Sequence, residues 1–256
     1  MSPFRPSVDE MKQMGVFSKV RLALAAMVAL SKSIVDPWGQ MAFQWALDSG
    51  GIGRIASRAA KDAHGQALLR ERPEIRLDLR ALSQLPEGTL GRFVADWFSA
   101  WGIAPFAARR TPTDEVEYFV DRLFFAHDIW HAVVGLGTDL RNELRFLGVT
   151  LAQYGSGSAV MALVFGWFKV PAQYGWRAFF AMPAEVWRFY RWSRACSNLC
   201  YVRWETMLEL PLEQVRAQVL APNRPRIGEW QAWPAPRIVL PPQLARPVAA
   251  TDLATN

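Results

Sequence analysis

The sequence is poor in cysteine and histidine, with two of the first and three of the second in 256 residues. Cys196 and Cys200 are too few for a disulfide scaffold and lack the further sulfur ligands of a thiolate zinc site. They stand four apart in a helical pattern and read as buried free thiols of a reducing cytosol. Long apolar runs are also missing: none approaches the about 20 residues that a membrane-spanning helix needs. The uncharged stretch from Phe146 to Phe168 is interrupted by Gln153, Tyr154, Ser156 and Ser158. The run from Leu22 to Leu30 follows a polar lead containing Asp9 and Glu10, so it reads as a core helix and not as a signal segment. No dense Lys/Arg block occurs. The net charge of +6 comes mostly from arginines scattered among acidic residues, the pattern of solvated helix faces, which argues against a nucleic-acid partner.

What is present is a folding composition. The chain is 51% hydrophobic, 12% aromatic and 20% charged, which excludes disorder and leaves ample material for a core. Apolar residues recur at helical spacing and no alternating strand pattern competes, so the expected fold is all-α, a single multi-helix domain over residues 18–220. Residues 1–17 are expected to be a loosely held lead-in. Seven prolines in residues 221–256 predict an extended C-terminal arm. Between these limits, Asp36-Pro37-Trp38-Gly39 predicts a turn between two antiparallel helices, and Gly51-Ile52-Gly53 a helix-to-helix connection, since a dinucleotide-binding glycine turn needs a strand before it. Arg72-Pro73 and Leu85 to Gly91 mark loops. The turn Arg109 to Asp114 leads into a helix capped by Thr113 or Asp114, which Gly135 and Gly137 end. Thr138 or Asp139 caps the next helix, expected from Leu140 to about Phe168. A further one begins at Pro183 and runs past Cys200, and the last spans Leu212 to Leu220.

One cluster carries chemistry: His127-Asp128-x-x-His131, then Glu143. Histidines four apart on a helix share a face and can reach one metal ion. Asp128 lies about 100° around that helix, where it is either a ligand or an orienting group. Glu143 arrives from the following helix. The set suits a divalent zinc, iron, manganese or cobalt ion, and the bland alternative is a pair of core histidines satisfied by carboxylates. Against a zinc-peptidase motif, Asp128 is shorter than the glutamate such a helix carries. An all-α phosphohydrolase shares the His-Asp doublet but needs a further upstream histidine, and His64 sits in a glycine-adjacent, loop-like segment. From Trp167 to Trp192 there are ten aromatic residues in 26 positions, interleaved with Lys169, Arg177, Arg188 and Arg191. They read as a helical core, the lining of an apolar cavity, or a seat at a membrane interface.

These residues resemble the fourth Coq protein family of ubiquinone (coenzyme Q) biosynthesis, whose hallmark H-D-x-x-H, eleven residues, then E is reproduced by His127, Asp128, His131 and Glu143. The similarity extends through Asp36-Pro37, Arg72-Pro73, the Leu85 to Gly91 loop, Arg122, Gln153, Trp204-Glu205 and Pro211-Leu212 with Arg216, spanning about residues 18–220. The chain departs from the family pattern at Phe124, Asn142 and Thr150. The resemblance implies an all-α protein that exchanges the carboxylate on ring carbon one of a polyprenylated benzoate for hydroxyl. It also implies a divalent metal held by His127, Asp128, His131 and Glu143. Arg122 and Gln153 are candidates for substrate binding. Further expectations are a homodimer, peripheral on the inner face of the cytoplasmic membrane, working among other quinone-biosynthesis enzymes. A prenyl-lipid-binding scaffold without catalysis and a relative acting on another aromatic acid are the alternatives.

Overall fold

The computed structural model describes residues 8–32, 37–102 and 111–225. Asp36, Arg109, Arg110, the first seven residues of the lead-in and the proline-rich arm from residue 226 onward lie outside the described residues. The described chain is all α-helical: α1 Val8–Lys12, α2 Val16–Lys32, α3 Pro37–Ala59, α4 Ala63–Glu71, α5 Leu79–Leu82, α6 Leu90–Trp101, α7 Glu115–Val134, α8 Leu140–Tyr154, α9 Gly157–Trp167, α10 Val170–Ser193 and α11 Leu212–Val219, with a 3-10 turn at Trp204–Thr206. Helix α7 crosses the middle of the molecule with 13 of its residues buried, so its polar side chains are held by packing on several sides. Trp130 and Phe119 of α7, Phe98 of α6, Phe146 of α8 and Trp204 are fully buried in one apolar core. Among the described residues, no helix is long and apolar enough to cross a membrane.

Local chemistry sets most boundaries. Side chains of Asp62, Thr89, Asp114, Asp139 and Ser156 each accept from a free backbone N–H in the first turn of the helix that follows. Of the two pairs of candidate caps, the structure uses Asp114 and Asp139. The Arg72-Pro73 loop and residues Leu85 to Thr89 fall between helices, whereas Leu90 and Gly91 of the expected loop already open α6, and α11 occupies the predicted segment.

Four expectations are corrected. The glycines at 51 and 53 do not connect two helices but lie inside α3. A Cβ at Gly51 would stand in ordinary contact, 3.7 Å from the carbonyl oxygens of Tyr154 and Gly155, so the end of α8 lies beside an unbroken α3. The helix from Leu140 to Phe168 is two helices, broken at Gly155-Ser156. Asp48 of α3, 1% exposed, reaches the break and accepts from Ser158 N (2.8 Å), Ser156 Oγ (2.8 Å) and Ser158 Oγ (2.5 Å). A carboxylate there satisfies the free donors of α9 and favours its dipole. Pro183 does not begin a helix but lies inside α10, whose break is at Gly175 (φ 78°, ψ 170°), a conformation only glycine adopts without strain. Pro183 leaves the carbonyl of Phe179 without its helical donor, and the Trp167 indole N–H supplies one at 2.8 Å. Cys196 and Cys200 stand in the turns after α10 and not on a helix. Cys196 Sγ accepts from Ala221 N at 3.2 Å, while Cys200 is buried. Within residues 8–12, Met11 of α1 is fully buried.

Helices α8 and α10 lie in close contact. A Cβ at Gly148 would meet the Val186 carbonyl oxygen at 2.5 Å, so glycine there lets the two backbones touch. Beside this contact Glu185 of α10 holds two arginines of α8: Arg141 through Nε at 3.1 Å, with its NH2 group as well, and Arg145 through Nε at 2.8 Å. Burial alone would raise the Glu185 carboxyl, but the hydrogen bond from Arg141 and the charges of Arg145 and Arg141 outweigh it and hold the group below its ordinary value. A depressed carboxyl contributes stability that is complete above its unfolded value of about 4.3 and disappears as pH falls through the lower folded one. Thermal melts of Glu185→Gln are therefore expected to lie below those of the native chain at neutral pH and to converge with them in acid. Parallel curves at all pH would show that the pair contributes nothing to stability.

Candidate metal centre

Helix α7 places His127 and His131 one turn apart on the same face. The helix ends at Gly135 (φ 74°), whose N–H returns to the His131 carbonyl at 2.8 Å, and Leu136 N bonds the same oxygen at 3.0 Å. The left-handed turn sends the chain back immediately. Asp139 then starts α8, and Glu143 in its first turn comes level with the histidines. The three ligand atoms of His127, His131 and Glu143 all lie within 4.8 Å of one another. His131 Nε2 is 3.2 Å from His127 Nε2 and 3.6 Å from Glu143 Oε2. Phe146, one turn after Glu143, stacks on the His131 ring at 3.7 Å and meets the His127 ring edge-on at 4.8 Å.

The donor chemistry fits a cation. His131 Nδ1 donates to the Leu136 carbonyl at 3.3 Å, which leaves the Nε2 lone pair facing His127 and Glu143. Two imidazole Nε2 atoms 3.2 Å apart need a shared proton or a common positive ion between them. Donor atoms held about 2.1 Å from one tetrahedral zinc-like ion stand roughly 3.4 Å apart, close to the spacing seen. Burial lowers His127 to about 4 and, with the neighbouring His127, takes His131 well below its ordinary value, so both rings are neutral and ready to ligate. Glu143 is pushed up to about 8 by burial, then by the charges of Asp128 and Asp139, although 35% of its side chain remains accessible. Asp128 is pushed up to about 7 by burial. Acids raised this far beside neutral imidazoles describe a site short of positive charge.

The other expected residues stand differently. Asp128 is outside the close trio yet near enough for its charge to raise Glu143, the position of an orienting or proton-holding group. Arg122 is 2% exposed, and its terminal nitrogens donate to the Pro73 carbonyl, Tyr118 Oη, the Val202 carbonyl and Glu205. It ties α7 to two loops. Gln153 bridges α8 to the chain after α10, donating to the Ser193 carbonyl and Oγ at 3.0 Å and accepting from Leu199 N at 2.9 Å. His64 is exposed on the first turn of α4. Of the three departures, Asn142 joins Asp139 to Arg145, Phe124 packs edge-on against Phe125, and Thr150 is buried with no hydrogen-bond partner for its hydroxyl among the described residues. Phe146 was not anticipated as part of the site. Its signal was there, an aromatic three residues after Glu143 on the same helical face.

The sequence model of the family described as "Coenzyme Q (ubiquinone) biosynthesis protein Coq4" matches residues 16–223. The chain belongs to the Coq4 family. Among Coq4 relatives, "Ubiquinone biosynthesis protein coq4, mitochondrial" of Aspergillus fumigatus (strain CBS 144.89 / FGSC A1163 / CEA10) is 27% identical over 197 residues, 70% of this chain and 63% of the relative. "Ubiquinone biosynthesis protein COQ4 homolog, mitochondrial" of Rattus norvegicus is 32% identical over 127 residues, 46% of this chain and 47% of the relative. The match to these curated relatives thus spans under two thirds of their length. A crystal structure from Nostoc punctiforme PCC 73102, described as that of a candidate ubiquinone biosynthesis protein, superposes with a TM-score of 0.64 at 25% identity, covering 78% of this chain and 95% of that one.

Proposed function

We propose that this Coq4-family chain binds one divalent metal ion through His127, His131 and Glu143 and acts in ubiquinone biosynthesis by exchanging the ring-carbon-one carboxylate of a polyprenylated benzoate for hydroxyl. The observation that carries the reading is the trio of ligand atoms within 4.8 Å, made of neutral imidazoles and an acid lacking a counter-charge. When bound, a zinc, iron, manganese or cobalt ion would supply Lewis acidity toward the substrate oxygens. The protein's own groups do the rest. Phe146 and the Leu136 carbonyl fix the His131 ring and its tautomer. Asp128, whose carboxyl burial pushes up to about 7, is placed to exchange a proton with a ring hydroxyl of the substrate. The carbon leaves as carbon dioxide and water supplies the hydroxyl oxygen, with two protons and two electrons passing to an external two-electron acceptor such as dioxygen. Peripheral seating on the inner face of the cytoplasmic membrane, a homodimer and contact with other quinone-biosynthesis enzymes belong to the same proposal and come from the family.

The test combines metal analysis with turnover of a prenylated hydroxybenzoate under oxidising conditions. One metal per chain and release of carbon dioxide are expected. A metal-loaded protein that binds the precursor tightly without releasing carbon dioxide would sink the enzymatic reading in favour of a lipid-binding scaffold.

A further inference from the structure

Helix α10 has two apolar faces. At about 100° per residue, Ala178, Met182, Val186, Phe189 and Trp192 fall on one side, and all are buried. Trp176, Phe180 and Trp187 fall together on the opposite side and are 65%, 73% and 58% exposed. A helix on the surface of a water-soluble core normally turns a polar face outward. The neighbouring α9 repeats the anomaly with exposed Val160, Val164 and Phe165, and Phe168 follows them. Large aromatic groups left outside a core that has already formed mark a surface completed by something else.

The charges around this ridge have one sign. Lys169, Arg177, Arg188, Arg191 and Arg194 are exposed, and the three arginines at 177, 188 and 191 flank the Trp176–Phe180–Trp187 line on one side. From Gly157 to Arg194 the single carboxylate is Glu185, already engaged by Arg141 and Arg145. The other exposed apolar line, Phe17, Val20 and Leu24 on α2, has a single aromatic ring in place of three and follows a helix carrying Asp9 and Glu10. Tryptophan and phenylalanine ringed by arginine match the chemistry of a bilayer interface, where rings sit at headgroup depth and the cations meet lipid phosphate.

We propose that the outer face of α9 and α10, with Trp176, Phe180 and Trp187 as its apolar ridge and Arg177, Arg188 and Arg191 as its basic flank, is the surface that docks on an anionic membrane. Helix α8, which carries Glu143, packs directly beneath α10 and is joined to it by Glu185 and by the Tyr174 hydroxyl, which donates to Asp139 at 3.2 Å. Docking on this face sets the metal-ligand helix about one interaxial spacing, roughly 10 Å, behind the lipid-facing ridge. The relevance of that depth to a lipid-borne ring rests on the function proposed above. Membrane seating as such belongs to that function as well; the choice of face does not, because it is read with neither metal nor substrate.

The test is sedimentation of the 256-residue chain with phosphatidylcholine vesicles containing phosphatidylglycerol, against phosphatidylcholine alone. The native chain is expected to bind the anionic vesicles and to release with added salt. Trp176→Ser/Phe180→Ser/Trp187→Ser, at exposed positions and checked for unchanged helicity and melting, is expected to lose at least about tenfold in affinity. Arg177→Gln/Arg188→Gln/Arg191→Gln is expected to lose most of its preference for anionic lipid, about fivefold per arginine. No vesicle binding by the native chain overturns the proposal. So does full binding by the serine variant, or loss of binding on Phe17→Ser/Val20→Ser/Leu24→Ser alone. Light scattering separates the remaining case: if the serine variant instead changes from dimer to monomer with vesicle binding intact, the ridge is a contact between copies and the proposal fails.

Discussion

Glu143→Gln is expected to lower divalent-metal affinity by more than about 100-fold, beyond the 10–100-fold that follows loss of an outer partner. The same substitution should leave the metal-free protein as stable as the native chain or more so. The two effects have one cause. Without a cation, burial raises the Glu143 acid to about 8, while in the unfolded chain it ionises at its ordinary value. The folded state therefore retains a proton that the unfolded state loses, and stability declines as pH rises between those two values. Gln fills the same space and has nothing to ionise. Native metal binding near neutral pH should release a proton from Glu143, seen as a calorimetric enthalpy that varies with the buffer's ionisation enthalpy; the variant should release less. Unaltered affinity in Glu143→Gln would remove Glu143 from the metal site.

Gly148→Ala should destabilise the fold by about 1–3 kcal/mol, and Gly148→Leu by more. The added Cβ would lie 2.5 Å from the Val186 carbonyl oxygen and 3.3 Å from Tyr190 N, and a backbone neighbour cannot rotate away as a side chain can. Because α8 and α10 must part to admit it, the melting temperature should fall. Metal affinity should fall less, since His127 and His131 are on α7. Chemical denaturation of the alanine variant with an unchanged midpoint would mean that the two helices have room to separate.

The arrangement of the candidate site is largely legible in the sequence because its information is local. Four-residue spacing on a helix brings His127 to His131, and a glycine stop followed by an aspartate cap returns Glu143 to them. Nothing beyond helical periodicity and turn chemistry was needed. What escaped depends on partners distant in the chain. The break between α8 and α9 is stabilised by Asp48, more than a hundred residues earlier. Pro183 signals a helix start by every local rule, yet it is accommodated inside α10 because Trp167 takes over the orphaned Phe179 carbonyl, and the break in the helix falls at Gly175. Arg122 reads as an available cation until the loops at Pro73 and Val202 fold over it. The aromatic stretch from Trp167 to Trp192 admits core and interface readings alike, and α10 carries a buried apolar side and an exposed one on opposite faces of one helix.

The hairpin of α7 and α8 sets how the proposed metal ion would act on the folding equilibrium. All three close ligands lie between His127 and Glu143, so bringing them together in a disordered chain closes only a short loop. A denatured chain should retain measurable affinity for the ion. Metal added in excess should therefore raise the melting temperature by less than its native affinity alone would give, because the ion also binds the competing state. The same closeness lets the ion gather this hairpin before the distant Asp48 and Glu185 contacts form, with metal present during refolding hastening the step that joins α7 to α8.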